Sequence, residues 1–150
     1  MKRILLLASC AMIVATVFAQ EDYTEGYVRE VNFFRTKQDH FDDYMKYLRA
    51  NFLPQQEEAK KEGLIVDFKV MLKTPANPSD WDVAIVTIYK SFGAALDYNQ
   101  EDDNKMKAIA GKFFKTADEQ KQREMTAKRF EYRDYLGTNY LREINLRPMQ

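Results

Sequence analysis

Between Tyr27 and Arg35 the chain reads YVREVNFFR, an aromatic and β-branched run with the spacing of a half-buried strand. Thr36 to Asp39 supply polar turn residues, and Asp39 with Asp42 three positions later has the form of a capping box at a helix start. Phe41, Tyr44, Met45, Leu48 and Phe52 then recur at helical spacing and make one apolar stripe. Pro54 has no backbone donor and its ring crowds the carbonyl four residues earlier, at a cost of about 3 kcal/mol in a regular interior. A kink or break is therefore expected there. QQEEAKKEG resumes helical character, with lysines near its end and Gly63 at the expected cap.

LIVDFKVML, Leu64 to Leu72, alternates as a second strand, KTPANPSD reads as a loop, and WDVAIVTIY, Trp81 to Tyr89, reads as a third strand antiparallel to the second. Ser91 is placed to cap a short helix through FGAALDY, and NQEDDN reads as a polar break. Met106, Ile109, Ala110 and Phe113 keep a stripe, after which Thr116 to Tyr135 is polar enough to be largely solvated. Glu119 and Arg123, and Glu124 and Lys128, stand four apart. Gly137 is the expected end of this helical region, and Tyr140 to Arg147, containing REINLR, the closing strand.

Strand, helix, strand, strand, helical region, strand is the split βαβ order of a ferredoxin-like domain: α+β, βαββαβ, a four-stranded antiparallel sheet with helices on one face. Sorting the strands by alternation gives one apolar set, Val31, Phe33, Leu64, Val66, Phe68, Val70, Ala84, Val86, Ile88, Ile144 and Leu146, assigned to the helix side. The other set is mixed: Glu30, Asn32, Phe34, Asp67, Lys69, Met71, Thr87, Tyr89, Glu143 and Asn145. A polar surface with aromatic bulk suits the partly wet interior formed when two sheets face each other. A homodimer is expected, with this set and Trp81 lining a cavity for a small organic ligand.

At this point the chain resembles the dimeric α/β-barrel superfamily, and within it the exported, uncharacterised members. The resemblance spans Gly26 to Arg147 and rests on element order, on YVREVNFF entering an aromatic helix, and on AIVTIYKSFGAAL passing from third strand into helix. Members acting on haem or quinol-like substrates use an asparagine on the first strand, a tryptophan near the third and a histidine on the second helical region. Asn32 and Trp81 match loosely, but Ser91 to Tyr135 holds no histidine, so the iron ligand that the resemblance implies is missing.

Met1-Lys2-Arg3 followed by an apolar run to Val17-Phe18-Ala19 has the form of an export signal, cleaved after Ala19. It is shorter than the roughly 20 apolar residues that a membrane span needs. Residues 1–19 are thus expected to be a leader and 20–150 one domain, periplasmic or extracellular. Leu7-Ala8-Ser9-Cys10 resembles a lipoprotein box, but the apolar run before Cys10 is very short and the residues after it stay apolar. Cys10 is the single cysteine, so the exported part has neither disulfide nor thiolate chemistry. The 23 basic and 23 acidic side chains balance, and loss of Lys2 and Arg3 tips the rest slightly acidic. That balance argues against the basic stripe a nucleic-acid surface requires.

His40, the one histidine, falls at a helix start without a second ligand beside it, and reads as a surface or capping residue. Glu101 to Asp103 lack the spacing of a calcium loop. Arg129 and Arg133 have the spacing to clamp an anion, but the expected reading is that they pair with Glu131, Glu143 or a dimer partner. No nucleophile elbow, phosphate loop or paired-histidine motif occurs. No cofactor and no metal are expected. The expected function is an exported homodimeric ligand-holding domain. The alternatives are a cofactor-free or haem-dependent monooxygenase-like enzyme using Asn32, Trp81, Tyr89 and His40, and a protein-interaction subunit using its polar helix.

Overall fold

The computed structural model describes residues 22–148. The expected leader, residues 1–19, and Cys10 lie outside them. Four strands form one antiparallel sheet: β1 (Tyr23–Thr36), β2 (Asp67–Leu72), β3 (Val83–Tyr89) and β4 (Arg133–Leu146), in the spatial order β2-β3-β1-β4. With the helices that follow β1 and β3, this is the ferredoxin-like βαββαβ arrangement anticipated from the element order.

β1 leads through an exposed turn into α1 (Phe41–Tyr47), a π-helical turn (Leu48–Phe52) and α2 (Leu53–Lys61). The capping box does not form: Asp39 takes a left-handed φ of 64° and His40 occupies the cap position without a side-chain hydrogen bond. Pro54 neither breaks nor ends the helix. The Leu53 amide donates to the Leu48 carbonyl, five residues back, and this wider turn relieves the clash that an α-helical geometry would force at the proline. α3 (Phe92–Leu96) is capped by the Ser91 hydroxyl, as expected. NQEDDN is not a break. The Asn99 side chain accepts from the Glu101 and Asp102 amides and starts α4 (Gln100–Phe114), with acidic residues in the first turn where the helix dipole favours them.

α5 (Glu119–Ala127), capped by Asp118, and α6 (Arg129–Tyr132) complete the second helical region, and β4 begins at once with Arg133. Gly137 therefore lies inside a strand. Its φ of +144° accommodates a bulge in which Phe33 faces Gly137 and Phe34 faces Tyr135, leaving Leu136 unpaired.

The helices cover the side of the central strands that alternation assigns to the interior between two facing sheets. In register, Glu30, Asn32 and Phe34 lie opposite Thr87, Ile85 and Val83, and Phe34, Val83 and Ile85 pack on Tyr44 and Leu48 of the helix layer. Along β2 itself the sides are as expected: Phe68 packs edge-on against Phe52, while Lys69 and Met71 face Val86 and Ala84 on the opposite side; Val66, just before the strand and assigned to the helix side, packs instead on the cluster of Val31, Ala84, Val86 and Ile88. The expected grouping thus joined β1 and β3 to β2 one residue out of step. Such a slip turns every side chain to the other face.

The side without helices carries Val31, Ala84, Val86 and Ile88, flanked by Phe33, Val66 and Trp81. It is the more apolar of the two. A third cluster, Ala59, Ile65 and Ile109, joins α2 to α4, and the Lys112 ammonium reaches Glu58 at 2.7 Å over it.

Candidate functional site

Because the mixed side of β1 and β3 lies beneath the helices, the space between sheet and helices is not a dry core. It contains a cavity of about 500 Å³. Glu30, Asn32, Phe34, Ile85 and Thr87 form its floor, Tyr44, Tyr47, Leu48, Asn51 and Phe52 one wall, and Phe114, Thr126, Arg129 and Phe130 the other. Asn51 and Phe52 belong to the π-helical turn, so the accommodation of Pro54 also shapes this wall.

Arg133 closes one end. The start of β4 places it opposite Thr36, and its guanidinium carbon lies 3.3 Å from the centre of the Phe34 ring and 5.1 Å from that of Tyr44. The residue is only 5% exposed, and its Nε and Nη1 have no hydrogen-bond partner. Burial lowers its pKa to about 10, with Tyr44 opposing the shift and Arg129 adding to it. It stays charged at neutral pH. Stacking on an aromatic face offsets part of the desolvation cost, on the order of 1–2 kcal/mol, but an unpaired buried charge costs several kcal/mol.

The neighbouring groups share this lack of partners. The Tyr44 hydroxyl is buried without a hydrogen bond, and burial pushes its pKa up to about 12. The Arg129 Nε is also unpartnered, its guanidinium standing 5.3 Å from the Phe130 ring. Tyr47, raised by burial as well, donates weakly to the Thr126 carbonyl at 3.5 Å. Two cations and a free hydroxyl donor thus converge on one end of the cavity, a donor set suited to a carboxylate.

The other end is anionic. Glu30 accepts from the Asn32 amide nitrogen at 2.8 Å and from the Tyr89 hydroxyl at 3.0 Å. The Thr138 hydroxyl in turn donates to the Asn32 carbonyl oxygen at 2.5 Å and lies 2.6 Å from the Tyr135 hydroxyl. Burial and then the Glu30 charge raise the Tyr89 pKa well above its ordinary value, so the phenol remains a donor. Beyond Glu30, Gln56 and Thr87 a second cavity of about 360 Å³ runs toward Tyr89, Asp102 and Met106.

Of the side chains expected to line one cavity, Glu30, Asn32, Phe34 and Thr87 do so, and Tyr89 joins them through Glu30. That cavity lies within one chain, under the helices, rather than on the open side of the sheet. Lys69 sits on the opposite face, and Asp67, at the sheet edge, is bound by Lys60 at 2.7 Å. Glu143 pairs with Arg29 at 2.6 Å, and Asn145 faces Thr24 near the end of β4. Trp81 packs against Phe33 in the other layer, with the Lys73 ammonium 4.5 Å from its ring centre.

Arg129 and Arg133 do meet at the cavity, but not as neighbours on one helix, since α6 ends at Tyr132. Their expected pairing with Glu131 or Glu143 does not occur. Tyr44 belongs to the predicted apolar stripe and Tyr47 does not, and nothing in the periodicity distinguishes either as a site residue. His40 lies outside the cavity, 5.9 Å from the Tyr132 ring with Nδ1 3.4 Å from Asp43. Among the described residues no cluster of histidine, cysteine or carboxylate side chains is arranged to hold a metal ion, and no helix is long and apolar enough to cross a membrane.

No protein-family model matches the chain, and no curated protein does. A solved structure from Bacteroides fragilis NCTC 9343, described as a dimeric protein of unknown function and ferredoxin-like fold, is 17% identical to it. That match covers 81% of this chain and 96% of the other, with a TM-score of 0.36.

Proposed function

We propose that this chain is an exported binding protein that holds a small organic carboxylate in the cavity between its sheet and its helices. The supporting observation is Arg133, a buried cation with two free nitrogens at the end of an open cavity of about 500 Å³. An anionic guest supplies the missing partner. Aromatic and aliphatic walls from Phe34, Leu48, Phe52 and Phe130 receive the rest of the molecule.

The helix-free face supports a homodimer as part of the same reading. Val31, Ala84, Val86 and Ile88 form an apolar layer, edged by Phe33 and Trp81, that is buried within the chain, and at its margins Met71, opposite Ala84, and Leu141, opposite Arg29, leave apolar surface exposed for a second copy to cover. Two sheets then close a barrel whose seam is dry, and each protomer keeps its ligand cavity on the outer, helical side.

The enzyme reading draws on Asn32, Trp81, Tyr89 and His40. Asn32 and Tyr89 lie near the cavity, Trp81 is on the opposite face of the sheet and His40 is at the start of α1, so the four form no common centre. Binding is therefore the reading favoured. Calorimetric titration of the exported domain with octanoate and with 3-phenylpropionate tests it. Saturable binding that Arg133→Met abolishes is expected, and no binding, or binding that ignores the substitution, overturns the proposal.

A further inference from the structure

The carboxylate reading accounts for one end of the cavity and leaves the other unexplained. Glu30 lines the same space, half-buried, and the hydrogen bonds it receives come from the neutral side chains of Asn32 and Tyr89. Each carboxylate oxygen accepts one of them, so each keeps a free lone pair. A single cavity thus contains an unpaired cation and an anion without a cationic partner.

The two do not neutralise each other because the sheet holds them apart. Glu30 and Phe34, over which the guanidinium lies, are four residues apart on β1, which is about 13 Å at 3.3 Å per residue. Asn32 stands between them with both ends engaged, donating to Glu30 and accepting from Thr138, and the Tyr135 hydroxyl extends the chain. This network fixes the carboxylate at its own end. Ile85, Leu48 and Phe52 make the intervening walls apolar.

Resting on the reading of Arg133 as the carboxylate site, we infer that the ligand is bipolar: an apolar body with a carboxylate at Arg133 and an ammonium group at Glu30. The geometry calls for a spacer on the order of 10 Å, given side chains that reach inward from both ends of that strand interval. A charge-assisted hydrogen bond at each end then satisfies groups that the protein alone leaves open.

Titration with octanoate, 8-hydroxyoctanoate and 8-aminooctanoate tests the class. The amino acid is expected to bind about tenfold more tightly than octanoate, as one charge-assisted contact allows, and the hydroxy acid to fall between. Glu30→Gln removes that gain, so that octanoate and 8-aminooctanoate bind the variant about equally. Tyr89→Phe, which retains the carboxylate and frees one of its oxygens, keeps or enlarges the gain, so the test does not depend on one variant folding. Equal affinity for octanoate and 8-aminooctanoate overturns the bipolar ligand while leaving the carboxylate reading standing. A gain that survives Glu30→Gln overturns the assignment to Glu30, and failure of all three probes to bind sinks both readings together.

Discussion

Arg133→Met separates the stability of this domain from its proposed use. Methionine keeps the apolar stem and most of the volume under Tyr44 while removing the charge, so packing changes little. Burial lowers the arginine pKa from 12.5 to about 10, which corresponds to on the order of 3 kcal/mol of destabilisation at neutral pH. Loss of the stacking on Phe34 returns about 1–2 kcal/mol of that. The ligand-free variant is therefore expected to be more stable than the parent by about 1–2 kcal/mol, a rise of several degrees in melting temperature for a domain of this size. Urea unfolding followed by circular dichroism measures the difference directly, with an unchanged slope confirming that the folded state is equally compact. A loss of 2 kcal/mol or more, about what removing a satisfied partner costs, would mean that Arg133 is already paired within the protein. The cavity would then lack no anion.

Tyr44 carries a related signature. Because burial raises its folded pKa from 10.0 to about 12, its contribution is fully present below pH 10 and is lost as the pH rises through about 12. Tyr44→Phe removes an unpartnered hydroxyl, so it is expected to be neutral or stabilising by about 1 kcal/mol at pH 7 and to shift alkaline unfolding upward; destabilisation at pH 7 refutes this. Met71→Lys places a charge on the exposed margin of the helix-free face, opposite Ala84 in register. Sedimentation is expected to show a folded monomer where the parent is a dimer. Gly137→Ala, at a φ of +144° with open space around it, is expected to cost about 1–2 kcal/mol through backbone strain alone, and equal stability in urea would exclude a glycine requirement at the bulge.

The order of elements and the antiparallel β2–β3 pair were legible in the linear chain because they depend on local periodicity and turn chemistry. Ser91 capped its helix for the same reason. Local signals failed where two of them competed. Asn99 lies in a stretch with the composition of a polar break although its side chain caps the amides that follow, and Gly137 has the signature of a helix end although it serves a bulge paired with β1. At Pro54 a wider turn resolved the clash without ending the helix.

By itself the sequence determined that the sheet has two unlike sides, one apolar and one polar with aromatic bulk, because alternation is a property of consecutive residues. Which side the helices cover was decided only in three dimensions, by the register that sets Thr87 opposite Glu30 and Phe68. Alternation on β3 could not supply that choice, since Val83 to Ile88 are buried on both faces. The same holds for the site. Arg133 was visible as a residue, but whether its charge had a partner depended on contacts among β1, α1 and β4, segments distant along the chain. Only their assembly placed it against Phe34 and Tyr44 with no carboxylate in reach.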